Sequence, residues 1–345
     1  MRRPAADVQA GLTRPGGLLL AAILLAGGIP FSQAGYAWPM DARFPVRQNA
    51  ISFSPTDLER PLENKREAGL GGNNAPATAQ KSPKTLLESL FGRREEKKDT
   101  KEPEEEERIN PDRPHFPEAS TTVGKGRFAL ESGYTVNVKG SSFLSRSYPE
   151  ALLRVGMLAD WFEFRIGQGF LNEEQTVGGA KTRASGPQDL YLGVKLALTE
   201  QRHFLPEIAL IPQITVPTGS RAVSAGRVLP GLNVDCGWEV IKERFNVELL
   251  VATNRVRDDI HRSHVELATG LTGASNLTRN LEAFVEWNAF YALGGTDQGT
   301  SSRHYAVGGF VYFITKDVAV DIRAGVGLNA HANDFLAGTG FSVRY

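Results

Sequence analysis

Apolar and polar residues alternate along the chain from about Gly126 to Tyr345. Between Val318 and Asn329, for example, the even positions are apolar, and the odd positions are mostly polar or glycine. Successive side chains of a β-strand point to opposite faces, so this pattern predicts strands with one apolar and one polar face. The chain from about residue 126 onward is therefore predicted to be all-β.

Turn residues divide this region into about twelve segments. We place them at residues 126–139, 147–158, 161–172, 187–200, 204–217, 228–241, 244–256, 262–274, 279–292, 303–315, 317–329 and 333–345. Most are long enough for a tilted membrane strand of about 9 to 11 residues. The connections alternate between short turns and longer loops, and the short turns lie near Asp160, Arg202, Lys242, Thr278 and Lys316. This layout is typical of an antiparallel up-and-down outer-membrane β-barrel.

The polar face carries too much charge for the core of a soluble sheet protein of this size. If the polar face lines a water-filled lumen and the apolar face contacts lipid, each face has a suitable solvent. A closed barrel also leaves no strand edge unpaired. The candidate lumen-lining residues are Glu131, Arg154, Glu163, Arg165, Asp189, Lys195, Glu248, Glu266, Glu282, Glu286, Asp321, Arg323 and Arg344. With Glu150, Glu207, Asp235 and Glu239 added, twelve acids face five bases. This excess predicts a cation preference if the lumen is open, whereas a salt-bridge network that fills the lumen is the alternative.

Aromatic residues recur at the ends of the predicted strands. The outward-facing parity places Phe128, Phe162, Trp238, Phe245, Phe313 and Tyr345 near the short turns, and Phe170, Tyr291, Tyr305 and Phe335 near the long loops. Two such rows are expected of the aromatic girdles of a membrane barrel. The inward parity predicts a second set of rings in the lumen, formed by Tyr191, Phe284, Phe290, Phe310 and Tyr312.

The N-terminal third has a different character. Arginines, a nine-residue apolar run and small residues up to Ala37 predict a secretory signal peptide over residues 1–37. Residues 38–118 are rich in Pro, Asn and charge, which predicts a disordered periplasmic segment. Within it, residues 83–91 have the spacing of a short amphipathic helix, either transient or a docking peptide for a periplasmic partner or the lumen. The barrel is then expected over residues 119–345.

Four stretches resemble a known family. They are 110–138 (NPDRPHFPEASTTVGKGRFALESGYTVNV), 186–198 (GPQDLYLGVKLAL), 212–219 (PQITVPTG) and 321–345 (DIRAGVGLNAHANDFLAGTGFSVRY). They are similar to the family named for the MetA pathway of phenol degradation, whose members are regarded as outer-membrane barrel transporters. The resemblance implies the barrel fold and a solute of aromatic or apolar character. The terminal Tyr345 also resembles the aromatic signal that the barrel-assembly machinery reads.

Composition narrows the classes of function. The 39 basic and 39 acidic residues give a formal net charge of zero, which argues against nucleic-acid binding through bulk charge. The single cysteine, Cys236, excludes an intramolecular disulfide and any multi-cysteine metal site. The six histidines offer no shared metal site, because His261 and His264 point to opposite faces of an extended chain. No cofactor motif is present either.

One pair of residues suggests a different class of protein. His261 and Ser263 weakly resemble the His-x-Ser arrangement of the outer-membrane phospholipase. A serine nucleophile also needs a third residue that orients the histidine. The alternation places Asn254 on the inward face, so it cannot orient His261 on the outward face. We therefore expect a non-enzymatic outer-membrane barrel that passes small solutes, with a barrel plugged by side chains or by the N-terminal segment as the alternative.

Overall fold

The computed structural model describes residues 84–92, 108–257, 263–294 and 302–345, and these belong to one compact unit. The predicted signal peptide and most of the predicted disordered segment lie outside the described residues. One helix, α1 (Leu86–Phe91), lies within the stretch that the sequence predicts as a short amphipathic helix. The Thr85 side chain caps it by accepting a hydrogen bond from the backbone N of Glu88 (3.3 Å). Among the described residues, no helix is long and apolar enough to cross a membrane.

Thirteen strands follow the helix. They are β1 (Phe128–Lys139), β2 (Phe143–Gly156), β3 (Phe162–Val177), β4 (Ala180–Pro187), β5 (Leu190–Thr199), β6 (Glu207–Val216), β7 (Leu229–Ile241), β8 (Phe245–Arg257), β9 (Ser263–Asn276), β10 (Leu281–Leu293), β11 (Arg303–Phe313), β12 (Val318–Gly327) and β13 (Phe335–Arg344). All pairings are antiparallel, and β1 pairs with both β2 and β13. Twelve strands therefore form a closed barrel, which confirms the predicted fold class.

Strand β4 is the extra strand. It pairs with the second half of β3, whereas the first half of β3 pairs with β5. The segment bounds predicted from the sequence leave a long loop here, rich in Gly, Ser, Asn and charge, and polar residues occupy both faces of the hairpin that forms instead. Cross-strand pairs such as Arg183 with Glu174 (3.2 Å) hold the hairpin beyond the barrel wall, where both faces can be polar.

The predicted parity of the barrel strands holds for most side chains but is wrong for aromatic residues on β11. Tyr305 and Phe313 are buried inside the barrel, whereas Phe310 and Tyr312 are about half exposed on its outer surface. Both parities of β11 are largely apolar, so alternation alone could not orient it. The register with β10 decides the matter, because it places Val311 opposite the inward Glu282.

Candidate functional site in the barrel lumen

Residues 108–127, which immediately precede β1, run inside the barrel, and we call them the lumen segment. The backbone N of Ile109 donates to the carbonyl of Lys316 (2.7 Å) in the short β11–β12 turn. The backbone N of Lys125 donates to the carboxylate of Asp160 (3.0 Å) in the short β2–β3 turn. The segment therefore enters and leaves at the short-turn end of the barrel. The sequence reading had placed residues 108–118 in the disordered segment instead.

The lumen segment contacts all twelve barrel strands. The partners, in strand order from β1 to β13 without β4, include Glu131, Arg154, Glu163, Lys195, Glu207, Asp235, Glu248, Asn276, Glu286, Phe313, Asp321 and the carbonyl of Thr339. Since these contacts come from every side of the barrel, the segment closes the lumen across its whole width.

One side of the lumen holds the segment through bases. The carboxylate of Asp112 lies 2.7 Å from Lys195 Nζ, 2.7 Å from Arg165 Nη1 and 3.3 Å from Arg154 Nη1. We call these three bases, on β5, β3 and β2, the basic clamp; all three are almost completely buried. Burial alone would raise the pKa of Asp112, but the three neighbouring positive charges lower it instead. Asp112 is thus held as a carboxylate.

Acids on β2, β8 and β12 also hold the segment. Arg113 Nη1 donates to Glu150 (2.9 Å), and its Nε lies 3.4 Å from Asp321. His115 Nδ1 lies 2.7 Å from Glu248. The segment therefore presents an acid to bases of the wall and cations to acids of the wall, which is electrostatic complementarity within one chain.

Several wall carboxylates bind the backbone of the segment rather than its side chains. Glu131 accepts from the N–H groups of both Asp112 and Arg113 (3.0 Å each), and Glu286 accepts from that of Phe116 (2.6 Å). Backbone donors inside a barrel need partners, because an unpaired buried N–H costs about 1–3 kcal/mol. Several of the excess acids predicted from the sequence therefore bind the backbone of the lumen segment.

Wall glycines make room for the two largest side chains near the tip of the segment. A Cβ added at Gly133 would lie 2.3 Å from the Arg113 guanidinium, and one at Gly340 would lie 2.4 Å from its Nε. A Cβ at Gly270 would lie 2.6 Å from the Phe116 ring. A larger residue at any of these positions would displace the facing side chain of the segment.

A chamber lies between the tip of the segment and the long-loop end. Its volume is about 30 Å³, enough for about one or two water molecules, and we call it the upper chamber. The residues that line it are Phe116, Thr135, Asn137, Glu286, Asn288, Phe290, Val307, Arg323 and Leu336. The rings of Phe116 and Phe290 meet edge to face, with centroids 5.2 Å apart. Its wall is thus part aromatic or aliphatic and part polar.

The sequence-predicted site residues fall into two groups. Ten lie against the lumen segment: Glu131, Arg154, Glu163, Arg165, Lys195, Glu248, Glu282, Glu286, Asp321 and Arg323. The other three lie elsewhere. Asp189 accepts from the N–H groups of Gly219 and Ala225 in the β6–β7 loop, Glu266 pairs with Arg303, and Arg344 pairs with Asp317 (2.6 Å) at the short-turn end.

Sequence reasoning missed the lumen segment's own residues, above all Asp112, Arg113, His115 and Phe116. One signal was present, because the dense charge run ends at Arg108 and the family resemblance begins at Asn110. Of the pair considered for catalysis, His261 lies outside the described residues, and Ser263 Oγ accepts from Arg227 (3.0 Å). Among the described residues, no group of three His, Cys, Asp or Glu side chains is placed to hold a metal ion.

His115 makes attachment of the segment pH-dependent. Burial alone would lower its pKa, but Glu248, Glu282 and Glu286 outweigh burial and raise the pKa to about 9. The protonated ring therefore stabilises the docked segment fully below about pH 6.5, and this stabilisation, about 3 kcal/mol, is lost as pH rises through 9. We expect the amide protection of residues 112–120, measured by hydrogen exchange with the intrinsic rate corrected, to fall between pH 7 and 10.

The control is His115→Gln, which retains a polar side chain but cannot titrate. We expect its protection to be weak at pH 7 and to change little up to pH 10. An equal fall in the wild type and the Gln variant would contradict the role of His115.

Comparisons with known proteins agree with this fold. A family model described as "Putative MetA-pathway of phenol degradation" matches residues 111–345. Among solved structures, the chain is similar to an outer membrane channel from Pseudomonas putida F1, at 13% identity, covering 66% of this chain and 99% of that chain, with a TM-score of 0.54. A NanC porin is similar at 10% identity over 63% of this chain and 98% of its own, with a TM-score of 0.40. The first likeness supports the barrel fold alone, and no curated protein matches the chain.

Proposed function

The chain belongs to the family named for the MetA pathway of phenol degradation, and from that premise we propose that its barrel spans the outer membrane and passes small solutes. The two surfaces of the wall support this. Outward side chains such as Val285, Ile322 and Leu271 are exposed and apolar, whereas the inward set is polar and charged. Lipid suits the first surface and a hydrated path suits the second.

The upper chamber is the observation that carries the proposal for the solute. Its two charged residues already have partners in the lumen segment, since Glu286 accepts from Phe116 N and Arg323 donates to the carbonyl of Pro114. The rest of the lining is an aromatic pair, two aliphatic side chains, Thr135, Asn137 and Asn288, whose Nδ2 already donates to Glu286. This lining suits a small neutral solute with an apolar or aromatic body and a hydrogen-bonding group, which enters once withdrawal of the lumen segment widens the chamber. The phenol in the family's name is of this kind.

Passage requires the lumen segment to move, because it contacts every strand of the barrel. We propose that it withdraws toward the periplasm, the side on which the short turns lie in this kind of barrel. The turn before β1 suits a pivot, since Gly124 and Gly126 both have positive φ (85° and 79°). The competing function is a permanently plugged barrel, which the same set of contacts favours.

Solute flux separates the two functions. Proteoliposomes that contain the full-length protein should swell in phenol or another small neutral aromatic solute faster than in a disaccharide of equal osmolarity. Equal and negligible rates for all solutes, from a barrel shown to be folded by its heat-modifiable mobility, would favour the plugged barrel.

Tyr345 also supports an outer-membrane role, and here we propose that the barrel-assembly machinery is a partner. Its ring stacks on Phe128 with centroids 5.0 Å apart, and the two residues exchange backbone hydrogen bonds across the β1–β13 seam (2.8 and 3.1 Å). We expect Tyr345→Asp to reduce the folded barrel in outer-membrane fractions severalfold, whereas Tyr345→Phe retains it. Unchanged amounts of heat-modifiable barrel in the Asp variant would contradict this prediction.

A further inference from the structure

The basic clamp binds a carboxylate that does not belong to the barrel wall. Asp112 lies in the lumen segment, and its two oxygens face Lys195 Nζ, Arg165 Nη1 and Arg154 Nη1 at 2.7 to 3.3 Å. Three buried cations from three strands converging on one carboxylate make a built anion site. In the closed barrel the chain itself fills that site.

Wall acids hold the two arginines of the clamp in place independently of Asp112. Arg154 Nε lies 2.9 Å from Glu163, and its Nη1 lies 2.9 Å from Glu131. Arg165 Nη1 lies 3.2 Å from the same Glu163. Because these partners are on β1 and β3, both guanidinium groups keep their anchors when the lumen segment leaves. The two arginines are thus preorganised for a new occupant, while Lys195, which donates to Asp112 and the carbonyl of Ala119, becomes free to bind it.

The balance of charge among these ion-paired groups favours the binding of a single anion. With the segment docked, the three bases face four acids, namely Asp112 and Glu118 of the segment and Glu131 and Glu163 of the wall. Withdrawal removes the first two acids and leaves three bases against two acids. Among these ion-paired groups, one positive charge then has no paired acid, although Asp235 on β7 also interacts with Lys195. One carboxylate group can pair with it.

The side chains around the basic clamp also indicate what kind of group is attached to the carboxylate of the ligand. Tyr191 is buried beside the clamp, where it interacts with Arg165. Its ring can pack against an apolar or aromatic body attached to the carboxylate.

We propose that Arg154, Arg165 and Lys195 form a binding site for small organic carboxylates, which Asp112 occupies in the closed barrel and which a solute carboxylate occupies after the lumen segment withdraws. This inference rests on the proposed passage of solutes through the lumen. A ligand that binds only the open barrel shifts the population toward it. Benzoate therefore promotes opening, and Asp112 competes with it.

Chemical rescue tests the site by binding alone. Asp112→Ala removes the resident carboxylate, and we expect amide exchange of residues 116–123 to accelerate about tenfold. Acetate should restore most of the protection, whereas acetamide, and chloride at equal ionic strength, should not. The double variant Asp112→Ala with Lys195→Met, which removes a clamp member, should lose the rescue. Equal effects of acetate, acetamide and chloride would overturn the proposal.

A second measurement uses the unmodified protein. In planar bilayers, benzoate should raise the open probability of the wild-type channel, whereas benzyl alcohol, which lacks the carboxylate, should not. Equal responses to both would overturn the proposal for the native barrel. Complete absence of current and of solute flux, together with acetate rescue in Asp112→Ala, would instead refute solute passage while leaving the anion site intact.

Discussion

Deleting residues 110–122 should raise the single-channel conductance by roughly an order of magnitude, because this stretch carries nearly all of the contacts that close the lumen. The deletion keeps β1 and the Gly124–Gly126 turn, so the barrel seam is untouched. The wall charges that it exposes can be hydrated by the water that fills the lumen. Planar-bilayer recordings of purified deletion and full-length proteins measure the effect.

A disulfide provides the matched control. A Cβ on Gly237 would lie 3.4 Å from that of Ser120, close to the separation of a natural disulfide. We expect the Ser120→Cys/Gly237→Cys variant, with Cys236→Ser to remove the native thiol, to stay closed when oxidised and to open after reduction. Equal conductance of the deleted, oxidised and reduced proteins would show that the lumen segment does not control passage.

Replacing Arg154 by Met should destabilise the barrel by about 3–5 kcal/mol, since it leaves the buried carboxylates of Glu131 and Glu163 without their shared partner. Arg154 also donates to the carbonyls of Asn110 and Thr121, so the lumen segment loses attachment at two points. Urea-unfolding midpoints of the barrel in detergent micelles measure the change.

Arg146 on the same strand is the control for this substitution. Its side chain is 42% exposed and lies 3.9 Å from Glu174, so Arg146→Met should change stability by less than about 1 kcal/mol. Similar midpoints for the two variants would contradict the central role of Arg154.

The barrel could be predicted from the sequence because alternation is a local property. A few consecutive residues are enough to indicate the two faces of a strand, as Val320 and Asp321 do on β12. Alternation fails where both faces are apolar, as on β11, and where both are polar, as in the β3–β4 hairpin. In those places only the register with a neighbouring strand fixes the orientation.

The lumen segment could not be predicted in this way, because its partners are distant in the chain. Asp112 meets Lys195 across 83 residues, and Phe116 N meets Glu286 across 170. Prolines and mixed charges in such a stretch are typical of a solvated linker when its partners are unknown. The predicted cation preference treated the inward acids as free charges, whereas many of them bind the segment.

The wall glycines have a consequence for how such a barrel can change during evolution. The lack of a side chain at Gly133 and Gly340 leaves space for Arg113, and the lack of one at Gly270 leaves space for Phe116. A side chain acquired at one of these positions would expel the segment unless the facing residue shrank at the same time. Wall and segment should therefore be inherited as a matched pair, with glycine at 133 and 340 kept wherever arginine is kept at 113. Relatives with a short residue at 113 are free to fill the hollow at 133, whereas position 340 also faces the backbone carbonyl of Ser132 and should stay glycine.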